Sequence, residues 1–144
     1  MDEWPTPTYL RNHEAVLAVF GCWPSFHDAP LLSLEHVPTA GSVDLLIHAF
    51  EMMRETDERG YFLTTKHHLI RFKFLGASEP DFSQFDVPNT LFDFVFSPPS
   101  DFDATGRFHV QLNSVTGGDC FARFAAESGE VASIKACDKQ GNPT

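Results

Sequence analysis

The chain has 144 residues, twenty Asp and Glu against ten Lys and Arg for a formal net charge of −10, and fifteen phenylalanines beside only two tyrosines. This length suits one domain that buries roughly two-thirds of its unfolded surface, and a charged fraction of 21% excludes a disordered polyelectrolyte. The negative balance argues against nucleic acid and anionic membrane as partners and leaves a basic protein as the electrostatic match.

Taken in chain order, Pro5 and Pro7 mark an extended N-terminal arm. A short helix is expected from Asn12, with Asn12 as cap, Glu14 at its positive end, Gly21 as left-handed stop, and Val16, Val19 and Phe20 on one packed face. Beyond Gly21 the apolar period becomes two. Residues 31–37 alternate with Leu32, Leu34 and His36 on one side, and 43–52 are apolar on both faces until Glu51, as a central strand would be. A polar excursion, RETDERG, precedes a run in which Ile70, Phe72 and Phe74 face inward and Arg71 and Lys73 outward. Phe92, Phe94 and Phe96 share one face of the next strand, and Phe108, Val110 and Leu112 one face of the strand after it. Two further strands are expected over 119–126 and 130–137, joined by an ESGE turn, with a frayed tail beyond.

The fold class expected is therefore mainly β: antiparallel sheet of about 7–8 strands, as a sandwich or curved half-barrel, with one short N-terminal helix. The chain reads as a single domain, 1–144, with its ordered core over about 12–137.

Three groups of residues are candidates for chemistry or binding. In GCWPSFHDAP, His27 and Asp28 are adjacent, which would suit a base with its orienting partner or two metal ligands. Neighbouring residues rarely point the same way, and short polar side chains in turns bond backbone groups. The stretch Trp23, Pro24, Phe26, His27 and Asp28 is therefore read first as a structural corner. His68 shares the inward parity of Ile70 and is a possible cross-strand partner of His48 or His36; the three converging would form a metal site. The third group is an acidic stretch without Lys or Arg, comprising Glu79, Asp81, Asp86, Asp93, Asp101 and Asp103, with Phe82, Phe85 and Phe102 interleaved. From it, Asp81, Phe82, Asp86, Asp101, Phe102 and Asp103 are the expected partner-binding residues, acids to attract a basic surface and rings to anchor it. The plainer alternative is solvated loops whose rings fold inward.

No phosphate loop, dinucleotide fingerprint or GxSxG occurs, so no catalytic residue, metal or cofactor is assigned. Cys22, Cys120 and Cys137 are too few and too far apart for a disulfide framework. The N-terminus lacks the pattern of a secretory leader, and no apolar run approaches the roughly 20 residues of a membrane span, so a cytoplasmic location is expected.

Four segments in order, FGCWPSFHDAPLLSLEH, LLIHAFEM, ERGYFLTTKHHLIRFKF and GGDCFARF, resemble the bacterial polymorphic-toxin immunity protein 50 family over about residues 12–137. WPSFHDA carries most of the likeness. Phe50 and Glu51 close one strand of the pattern, and Lys66, His67, Leu69 and Phe72 match its K-H-x-L strand. The resemblance implies a cytoplasmic, non-enzymatic protein that binds and neutralises a cognate toxin domain. It carries over no catalytic residue. The rival reading is a metal- or small-ligand-binding β domain, enzymatic or not, that uses the histidines and Asp28.

Overall fold

The computed structural model describes residues 5–82, 85–99, 106–116 and 121–144. Among the described residues one helix, α1 (Glu14–Phe20), is followed by eight strands: β1 (Pro30–Val37), β2 (Ser42–Thr56), β3 (Phe62–Leu75), β4 (Ser78–Asp81), β5 (Asn89–Ser97), β6 (Phe108–Ser114), β7 (Phe121–Ala126) and β8 (Ser128–Ala136). They form one open antiparallel sheet in the order β4-β7-β6-β5-β1-β2-β3-β8. The mainly β architecture and the lone N-terminal helix follow the sequence expectation.

The sheet rolls over on itself around a phenylalanine core. Phe72 and Phe74 on β3 meet Phe94 and Phe96 on β5, and Phe74 also meets Phe108 on β6 and Phe124 on β7, with ring centroids 5.1–6.4 Å apart. The expected inward set Ile70, Phe72, Phe74, Phe108, Val110 and Leu112 is buried throughout. Alternation is inverted where single-residue bulges intervene. A register shift between Leu31 and Ser33 buries Leu31 and leaves Leu32 exposed, contrary to the expected Leu32 face. Another between Leu91 and Asp93 buries Leu91 and turns Phe92 out to solvent, away from Phe94.

The ESGE segment is a bend and not a hairpin turn. β7 passes through Glu127 into β8, and β3 passes through Gly76 and Ala77 into β4, so both bent chains stay paired: Leu75 faces Ser128 and Ser78 faces Ala125. Glu127 N–H donates to the Leu75 carbonyl across the corner, and Arg107 braces it through the Gly76 carbonyl and the Glu127 carboxylate.

The N-terminal segment joins the core earlier than expected. Leu10 is buried, Tyr9 packs on Phe108, and burial pushes the Tyr9 phenol up to about 12. Arg11 bridges to β8 at Glu130 and blunts that sheet edge. Asn12 is not the helix cap. Its φ is 63°, its amide donates to the Val131 carbonyl, and His13 takes the cap position with its ring turned to the Leu10 carbonyl and no side-chain capping bond. Gly21 ends the helix in the left-handed region, as read from sequence. A Cβ on Gly129 would stand 2.7 Å from Phe74 and 2.8 Å from Leu10, so Gly129→Ala is expected to lower unfolding free energy by about 1–3 kcal/mol in denaturant titration.

Candidate protein-binding surface

β2 and β3 outrun both neighbours. Pairing with β1 stops at Ile47 and pairing with β8 at His68, yet β2 continues to Thr56 and β3 begins at Phe62. The remainder is a two-stranded ribbon in which every residue from Glu51 to Leu63 is exposed. Its turn is set by Asp57, whose carboxylate accepts from the Arg59 and Tyr61 N–H groups, and by Gly60 at φ 85°. Glu51 and Lys66 form an ion pair at 2.7 Å across its base.

Polar residues alone would make this an ordinary solvated hairpin. Instead it displays Met52, Met53, Tyr61, Phe62 and Leu63, with Tyr61 69% and Phe62 54% exposed. Folding leaves this apolar surface in water, and clustered exposed apolar groups of this kind mark interaction sites. Methionine and aromatic side chains are also those enriched where proteins bind one another. The polar reading of RETDERG missed this. The available signal was Met52-Met53 and Tyr61-Phe62-Leu63 on either side of the seven polar residues 54–60, which end in glycine.

The WPSFHDA stretch forms the corner between α1 and β1. Trp23 and Phe26 are buried, and Trp23 meets Phe26, Phe72 and Phe96 edge-on at 5.8–6.2 Å. Pro24 is half-buried beside them. Phe26 and Asp28 both take positive φ, and the Asp28 N–H donates to the Leu91 carbonyl, tying the corner to β5. That backbone also turns His27 and Asp28 toward each other, 3.6 Å apart, while the other His27 nitrogen meets the Phe92 carbonyl.

The remaining histidines do not gather where parity suggested. His48 meets His67, not His68, with Nε2 and Nδ1 2.9 Å apart. Strand pairing explains the choice: His68 faces Ala49 and lies edge-on to Phe20, whereas His48 and His67 share the outer face. His36 lies edge-on to Phe82. Among the described residues no group of three or more His, Cys, Asp or Glu side chains is arranged to hold a metal ion.

The acidic residues are divided. Asp81 lies on β4 with the Arg123 guanidinium 3.9 Å away, and Asp93 on β5 accepts from Asn113 at 2.6 Å. Asp81 belongs to an outer cleft with a volume of about 580 Å³ that Gln111, Arg123 and Asn113, the partner of Asp93, also line. Phe82 and Phe85 pack partly buried against the core, and Asp86 is exposed. Asp101, Phe102 and Asp103 lie outside the described residues. No helix is long and apolar enough to cross a membrane among the described residues.

No family model, no curated protein and no solved structure matches this chain. What the geometry itself defines is an antiparallel β domain carrying a ribbon with exposed apolar side chains behind a polar turn.

Proposed function

We propose that this chain is a non-catalytic immunity protein that binds a cognate bacterial toxin domain and occludes its active site. The observation that carries this reading is the ribbon: Met52, Met53, Tyr61, Phe62 and Leu63 are exposed on a two-stranded element that no further strand flanks among the described residues. The likeness of the WPSFHDA and K-H-x-L segments to immunity protein 50 sequences supports the class of partner.

Charge divides the labour. Glu51, Glu55, Asp57 and Glu58 against Arg54, Arg59 and Lys66 leave the ribbon close to neutral, so nearly all of the net charge of −10 lies on the body. The body steers a basic partner, and the ribbon supplies the desolvated contact that holds it. Asp81 and Asp86 belong to the steering surface. Asp101 and Asp103 are assigned to it by sequence alone.

The test is copurification and calorimetry with the C-terminal domain of a large toxin-like protein encoded beside this chain. Binding should weaken by about tenfold or more as ionic strength rises from about 0.05 M to about 0.5 M. Asp81→Lys with Asp86→Lys should slow association and flatten that dependence. Salt-independent association would remove the steering role and leave the ribbon to be tested separately.

A second reading, binding of a small polar ligand, has the outer cleft of Asp81, Gln111, Asn113 and Arg123 in its favour. A copurified ligand lost on Arg123→Ala would support it.

A further inference from the structure

Beneath the ribbon the last turn of the chain folds onto the two outer-face histidines. His48 is 5% exposed, and a Cβ on Gly141 would stand 3.4 Å from its Nδ1. The turn is held by the Asp138 carboxylate, which accepts from the Gln140 and Asn142 N–H groups at 2.9 Å. Cys137 N–H donates to the His67 carbonyl, Gly141 N–H to the Asp138 carbonyl, and Thr144 N–H to the Ala136 carbonyl, while Cys137 bridges to Pro143. The tail expected to fray is therefore seated, with its turn packed against the histidine pair.

The proton count of that pair is restricted by its geometry. His48 Nε2 faces His67 Nδ1, and His67 Nε2 faces the Thr64 hydroxyl at 2.9 Å. With no added proton, one ring donates to the other, and the threonine hydroxyl donates or accepts to suit. With one added proton, His67 donates from both nitrogens, to His48 and to Thr64, and every contact survives. With two, N–H faces N–H and two cations meet at hydrogen-bond distance.

We infer that His48 and His67 form a proton-counting latch, which keeps the C-terminal turn 138–142 seated with zero or one proton and releases it with two. The groups facing the pair oppose the second charge more than they favour it. Burial is the main cause holding both imidazoles below their usual 6.5; His67 adds repulsion at His48, Lys139 and His68 add it at His67, and Asp138 pulls the other way at both. Glu51 and Lys66, nearby on the ribbon strands, neutralise each other. Because the closed form has the lowered pKa values, the opened form binds more protons. Closure is thus intact above about pH 6.5 and is lost as pH falls through the lowered values.

Lys139 of the turn lines a hollow with Thr56, Asp57, Glu58, Arg59 and Tyr61 of the ribbon. Release of the turn therefore uncovers the underside of the binding element. The latch stands whether or not the ribbon's partner is a toxin.

The experiment is an NMR titration of the labelled protein from about pH 7.5 to about pH 4.5, following the ring protons of His48 and His67 with the amides of Cys137, Asp138 and Gly141. The first ring protonation should leave the tail amides in place. The second should shift them and reduce their exchange protection by up to about tenfold per pH unit, while Ile70 and Phe72 stay protected. In His67→Gln the carboxamide still bonds His48, so the tail should stay seated through this range; His48→Gln should behave alike if His67→Gln fails to fold. Asp138→Asn keeps the carbonyl acceptor of the turn but removes the attraction for the added protons, so it should open at a lower pH than the wild type. Tail amides that follow the first proton, that ignore both, or that open at the same pH in the glutamine variants would overturn the latch.

Discussion

Phe72→Ala lowers the unfolding free energy by about 3–5 kcal/mol, the largest single-residue effect expected in this domain. Phe72 is fully buried and its ring meets Trp23, Phe26, Phe74, Phe94 and Phe96, so it joins the α1–β1 corner, β3 and β5. Alanine there removes the ring and leaves a cavity that rigid edge-to-face neighbours refill poorly. A domain typically holds only about 5–15 kcal/mol in all, so much of its stability disappears. Phe72→Leu, which keeps much of the volume, should cost about 1–2 kcal/mol by the same reasoning. Denaturant midpoints measure both. A loss under about 1 kcal/mol for the alanine variant would mean that the phenylalanine network is not the centre of the core.

The second large effect falls on binding and spares the fold. Tyr61→Ser combined with Phe62→Ser should weaken partner affinity by about a hundredfold or more, since hot-spot truncations cost about 2 kcal/mol or more each. Thermal stability should be nearly unchanged, because both side chains are already exposed. The separation between affinity and stability is the informative feature. A variant that lost both together would point to a structural role for the ribbon.

The β class was legible because inward and outward residues alternate over long runs. On β3, Ile70, Phe72 and Phe74 announce their face without ambiguity, as do Phe108, Val110 and Leu112 on β6. What alternation cannot reveal is a one-residue bulge. Leu31-Leu32 and Leu91-Phe92 are pairs of apolar neighbours, and either member satisfies the pattern until strand register is known. Nor does local pattern separate a bend from a hairpin: Glu127-Ser128-Gly129 has turn composition, but the partners across the corner keep both chains extended.

The candidate surface was hidden for a different reason. Tyr61, Phe62 and Leu63 look like the start of a buried strand, and they are exposed because β1 and β8 both stop pairing before reaching them. The seated tail had a local signal, Asp138 with Gly141 and Asn142 in turn spacing, but its contact with His48 spans 93 positions of sequence. Trp23 and Phe26 were more transparent, because a tight corner with two large rings has to cover one end of a core.

Growth rescue decides whether the ribbon binds a toxin domain. The C-terminal domain of a large toxin-like protein encoded beside this chain is induced in a test host, with wild-type chain or with the Tyr61→Ser, Phe62→Ser variant at matched soluble levels. The wild type should rescue growth and copurify with the toxin domain, and the variant should do neither. Absence of rescue by the wild type, or rescue by the variant as complete as that by the wild type, would contradict toxin binding by the ribbon.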